Sequence, residues 1–163
     1  MVKKIILWIL VIFWALLIFS FSAQKAEDSD EVSLSVGEKI ITIIAELNII
    51  DIPASTDGID YIKLWAENIN NIIRKLAHFG IFMMFGILLN MLLCCYMGFK
   101  KAFLYSLVIC LLYAISDEIH QYFVPGRACM LKDVLIDFCG SFFGVFLINF
   151  KSCIFIKLKK ASM

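Results

Sequence analysis

The chain has 163 residues, 62% of them hydrophobic and 18% charged, with a formal net charge of +1. Its mean hydropathy of +0.91 is higher than a soluble domain of this size carries, which predicts an integral membrane protein. The runs of Ile, Leu, Phe and Val are solid rather than alternating, which excludes β-barrel strands, and no basic face suggests nucleic-acid binding. The expected fold is all-α: a polytopic membrane helix bundle with about four transmembrane helices and an outer amphipathic segment.

Residues 1–23 make the first transmembrane element, with the apolar span at Ile5–Ala23 behind Lys3 and Lys4. Small residues at Ser20 and Ser22 also fit a cleavable signal peptide, but the run exceeds the roughly 7–15 residues of such a segment, so an uncleaved anchor is expected. Residues 24–73 form an extracytoplasmic segment that opens on the polar "QKAEDSDE". Two helical stripes follow. Val36, Ile40, Ile43, Ile44 and Leu47 recur at helical spacing until Pro53, and Ile59, Ile62, Trp65, Ile69, Ile72 and Ile73 run on into the next span. Both stripes could lie at the outer headgroup boundary or cap the bundle, and packing against the protein's own helices at the membrane surface is the favoured expectation.

A three-helix transmembrane core is predicted over residues 74–150, with spans at Leu76–Met97, Ala102–Tyr122 and Val134–Phe150, and residues 151–163 form a basic tail. Cys94, Cys95, Cys110 and Cys139 fall inside spans, so no disulfide framework or Cys94-Cys95 metal pair is expected. Charge gives the orientation. With both termini cytoplasmic, the inner ends hold Lys3, Lys4, Lys100, Lys101, Lys151, Lys157, Lys159 and Lys160 and none of the 14 acids.

The third span, apolar from Ala102 to Ile115, ends in "SDEIHQYFVPGR". Three helix ends meet at this outer face: the entry of the second span with Arg74, Lys75 and His78, the exit of the third with Asp117, Glu118 and Gln121, and the entry of the fourth with Asp133 and Asp137. Asp133, Asp137, Gly140 and Gly144 lie on one helical stripe, so the glycines admit a close neighbour and the acids above them face it. Cys110, Ala114, Asp117 and Gln121 form a matching stripe, and these two faces are predicted to meet. His120 lies off it. Pro125 and Gly126 predict a type II turn that folds Arg127 back over the bundle mouth.

Asp117, Glu118, Asp133 and Asp137 are balanced four against four by Arg74, Lys75, Arg127 and Lys132. Pairing with these cations would offset the cost of burying the acids, and that balance argues against a metal. No cofactor is expected.

"RKLAHFGIFMMFGILL", "SDEIHQYFVPGRACMLKDVLIDFCGSFFG" and "FSAQ" resemble the VanZ-like family of small bacterial integral membrane proteins. Lys75, His78, Asp117, Glu118, Gln121, Gly126, Arg127, Asp133, Asp137 and Gly140 match the family pattern. Phe82 stands where tyrosine is frequent, and Cys129 where a small or polar residue is usual. The resemblance implies a multi-pass protein of the bacterial cytoplasmic membrane and a link to low-level teicoplanin resistance.

Three functional readings stay open. The first is a polar site at the outer leaflet, built from Lys75, His78, Asp117, Glu118, Gln121, Arg127, Asp133 and Asp137, that binds a membrane lipid headgroup or an amphiphilic glycopeptide. The second is an enzyme on a lipid-linked substrate, using carboxylate and histidine acid-base chemistry. The third is a satisfied ion network that sets helix register and has no ligand.

Overall fold

A computed structural model describes the backbone of residues 1–50 and 60–161 and the side chains of residues 1–50 and 60–150. Pro53, Ile59 and the side chains of the basic tail, all invoked above, lie outside the described residues. Among the described residues the chain is five α-helices: α1 (Val2–Ser22), α2 (Ala26–Glu46), α3 (Tyr61–Leu93), α4 (Phe99–Tyr122) and α5 (Leu131–Ala161).

Three of these, α1, α3 and α4, are long and apolar enough to cross a membrane, against the four expected from sequence. The remaining candidate, α5, opens on Lys132, Asp133 and Asp137 and carries Asn149, which shortens its uninterrupted apolar run.

The central element is α3, which packs against each of the other four. Its start is capped by Asp60, whose carboxylate accepts from the Ile62 and Lys63 amides at 3.1 and 3.2 Å. Leu7, Val11 and Ile18 of α1 form a buried stripe against α3 and α4, joined by Trp14, whose indole N–H donates to the Ile81 carbonyl at 2.8 Å. Tyr113 on α4 donates to the Ala15 carbonyl at 2.7 Å. Phe82, Phe85 and Tyr113 complete this core with ring centroids 4.9 to 6.2 Å apart.

The closest approach is between α3 and α5. A Cβ built on Gly140 would lie 2.2 Å from the Phe79 carbonyl oxygen, and one on Gly144 at the same distance from that of Met83. Gly86 reciprocates, with a Cβ position 2.6 Å from the Ser141 carbonyl oxygen. The glycine stripe of α5 therefore meets α3, where the sequence pointed it at the third span. Small residues let two backbones touch where lipid offers no hydrophobic gain for burying large ones.

The packing of α2 also corrects the sequence reading. It runs antiparallel to the first turns of α3 through Ser33, Gly37 and Ile41, which are buried, and Gly37 sits against Ala66 and Ile73. Ser33 hydrogen-bonds Asn70. The first predicted stripe faces outward instead, with Val36, Ile40, Ile43 and Leu47 exposed; of the second, Trp65 and Ile72 are exposed, while Ile73 packs on Gly37 as expected.

The end of α2 differs too. Asn48 adopts a left-handed φ of 52°, and the Asn48 and Ile49 amides donate back to the Ala45 and Ile44 carbonyls. That is a Schellman stop, placed before Pro53 because asparagine tolerates this conformation.

Candidate functional site

Three helices bring the unusual polar residues together at one end of the bundle. The turn between α4 and α5 has the predicted form: Gly126 holds φ 79°, and the Arg127 amide donates to the Val124 carbonyl at 3.2 Å. The turn sends Arg127 back across the mouth, where its guanidinium donates to Gln121 Oε1 at 3.2 Å and to the Phe21 carbonyl at 3.4 Å. Gln121 passes the contact inward, its Nε2 donating to Asp117 Oδ2 at 2.9 Å. Arg127, Gln121 and Asp117 thus form a relay from the loop to the interior.

Asp137 lies on the α5 face against α3 and is 0% exposed. Its Oδ1 is 3.3 Å from Nδ1 of half-buried His78. Neither carboxylate oxygen of Asp137 nor Nδ1 of His78 completes a hydrogen bond. Asp117, 4% exposed, closes the group from α4, and donor atoms of His78, Asp117 and Asp137 all lie within 4.8 Å of one another.

Glu118 is buried but serves elsewhere. Its Oε2 accepts from the Met130 amide at 2.9 Å, tying α4 to the residue that precedes α5. Asp133 is half-buried and lines the cavity mouth, and Lys75 is exposed there.

The predicted counter-charges take other partners. Arg74 pairs with Asp30 of α2 at 2.6 Å, and Arg127 reaches a glutamine and a carbonyl rather than an acid. Among the described residues, no lysine or arginine forms an ion pair with Asp117, Glu118 or Asp137. His120 turns away and stacks on Phe19 with centroids 4.2 Å apart.

Two cavities share this centre. A polar one of about 180 Å³ is walled by Arg74, Lys75, His78, Arg127, Asp133 and Asp137. An apolar one of about 320 Å³ lies between α1, α2 and α3, walled by Ile18, Phe21, Val32, Val36, Ile81 and Phe82. Arg74 and His78 border both, and Asp117 borders the apolar one.

Sequence reasoning missed Asp30, because it shares no helical stripe with the recognised acids. It also missed a second polar cluster toward the opposite end, where Asn90 donates to Ser106 Oγ at 3.1 Å and accepts from Asn149 at 3.0 Å.

No curated protein and no solved structure matches the chain. The family described as VanZ/LLP1 matches residues 7–154, which takes in all the residues of the site and nearly the whole described bundle. The chain is an all-helical membrane protein of the VanZ/LLP1 family.

Proposed function

We propose that the site binds an amphiphile, either a membrane lipid or an acylated glycopeptide, at the outer leaflet of a bacterial cytoplasmic membrane. One observation carries this reading: a polar cavity whose walls include Lys75 and Arg127 and a larger apolar groove meet at Arg74 and His78. That juxtaposition matches a charged headgroup joined to a chain. Arg127, which bonds only a glutamine oxygen and a backbone carbonyl, offers donors of its planar fork to phosphate or carboxylate, and exposed Lys75 adds a point charge. The groove between α1, α2 and α3 takes the chain.

In this reading α5 crosses the bilayer beside α1, α3 and α4, with Phe142, Phe143, Phe146 and Phe150, all exposed, toward lipid. Both termini are cytoplasmic. The outward stripe of α2 rests at the headgroup boundary, where an apolar helix face finds a partner.

The absence of Lys or Arg partners for the buried acids, among the described residues, weighs against the alternative of a self-satisfied ion network. The pairing of His78 with Asp137 at 3.3 Å keeps an enzymatic reading open, since a histidine oriented by a carboxylate is a usable acid or base.

The test combines a binding and a cellular readout. Lipids that co-purify with the wild type and with Arg127→Gln and Val36→Trp variants are identified by mass spectrometry. Expression should protect a susceptible host against teicoplanin more than against vancomycin, because an acyl chain contributes about 0.8 kcal/mol per buried CH₂ to membrane partition. A lipid set unchanged by both substitutions, together with equal protection against the two drugs, would refute the proposal.

A further inference from the structure

We propose that His78, Asp117 and Asp137 bind a divalent transition-metal ion of the zinc class between α3, α4 and α5. The inference stands apart from amphiphile binding and does not need it. Its first support is geometry. The three side chains come from three different helices, and their donor atoms lie within 4.8 Å of one another. The His78 Nδ1 to Asp137 Oδ1 separation is 3.3 Å. A tetrahedral ion with bonds of about 2.0 Å sets its ligand atoms about 3.3 Å apart.

The second support is that the His78 and Asp137 donors complete no hydrogen bond. Asp137 is 0% exposed, yet both of its oxygens lack a hydrogen-bond donor, and so does the facing Nδ1 of His78. Buried carboxylates are paired, hydrogen-bonded or bound to a metal, because an isolated one is costly to desolvate. The lysine and arginine side chains that the sequence offered as counter-charges are committed elsewhere or point to solvent: Arg74 to Asp30, Arg127 to Gln121 and Phe21. A dication neutralises two carboxylates and accepts a neutral imidazole, satisfying all three groups at once.

The surroundings fit as well. Gln121 Nε2 donates to Oδ2 of Asp117, which fixes that carboxylate within the group. Arg127 in turn holds Gln121. Such outer contacts orient the ligands of metal sites.

One imidazole and two carboxylates suit zinc and its neighbours in the transition series. Calcium and magnesium prefer all-oxygen shells. Three protein ligands leave a fourth position, and the cavities bordered by His78 on either side give a water or an anionic oxygen access to it.

The experiment uses the full chain in detergent, equilibrated with zinc and freed of excess. Elemental mass spectrometry should find about one zinc per chain at this three-ligand site. Chelation should lower the melting midpoint, and zinc should restore it where magnesium and calcium do not. A change in an outer-shell contact weakens metal binding by about 10–100-fold, so His78→Gln and Asp137→Asn, each removing a ligand, should weaken it by more than about 100-fold.

Monodisperse wild type that holds no zinc and melts identically with and without chelator overturns the proposal. So does zinc retained in full by both variants, which would locate the ion elsewhere. A midpoint in zinc that rises on Asp137→Asn overturns it too, because relief of an unpaired charge is the metal-free outcome. The chelation arm on wild type needs no variant to fold.

Discussion

Gln121 links two groups that do not touch. Arg127 donates to its oxygen and its nitrogen donates to Asp117, so the hydrogen-bonded connection from the loop arginine to the buried acid runs through this amide. Gln121→Leu removes both contacts and leaves a nearly buried carboxylate without that donor. Loss of such a bond costs about 1–3 kcal/mol, more than deleting a partner that water can replace. Thermal melts in detergent should show this loss for Gln121→Leu, and a variant indistinguishable from wild type would mean that the relay carries no energy. Tyr113→Phe is a gentler case. The hydroxyl donates to the Ala15 carbonyl, an oxygen already within the α1 helix ladder, so its removal should cost only about 0.5–1.5 kcal/mol in the same melts.

At the scale of elements, the contact of α3 with α5 depends on missing side chains. Gly140→Ala and Gly144→Ala would each set a methyl 2.2 Å from a backbone carbonyl oxygen. Backbone cannot swing aside as a side chain can, so each should destabilise by about 1–3 kcal/mol through overpacking. Gly80 is the control, because a Cβ there meets nothing within 4 Å. Gly80→Ala should stabilise the helix by about 0.5–1 kcal/mol. Opposite signs for these substitutions in one melting series check the assignment, and equal signs would refute it. The stripe Asp133, Asp137, Gly140, Gly144 was legible because helical spacing is written in the order of residues. Its partner was not, since a period of 3.6 says which residues share a face and nothing about which helix they meet. The reading of α2 failed for a related reason. Val36, Ile40 and Leu47 look like a packing face, but Ser33, Gly37 and Ile41 make the contact, because small residues let the α2 and α3 backbones come close. The Asp30–Arg74 pair and the Asn90, Ser106 and Asn149 cluster join residues far apart in sequence, which no local pattern reveals.

Two sets of contacts define the poles of the molecule as a whole. At one, Trp8 donates to the Tyr96 hydroxyl at 3.0 Å and Lys4 lies 4.3 Å above the same ring, so the start of α1 and the α3–α4 turn share an end. At the other, Arg127 reaches the Phe21 carbonyl. With Cys129 as the sole cysteine, an impermeant maleimide should label it in intact cells. A Gly98→Cys site on a cysteine-free background should label only after permeabilisation. The reverse pattern would invert the proposed topology. Between these poles runs α3, whose 33 residues extend about 50 Å, roughly 20 Å more than the hydrocarbon core of a bilayer. Its projecting end carries Trp65 and is splinted by α2, and the same unbroken rod carries His78 and, farther on, Asn90. No proline lies within it to serve as a hinge. A force applied to the α2–α3 hairpin would therefore tilt the whole shaft as a unit. Such a tilt would carry His78 and, through the glycine contacts, Asp137 with it, so the separation expected to change is the one to Asp117 on α4.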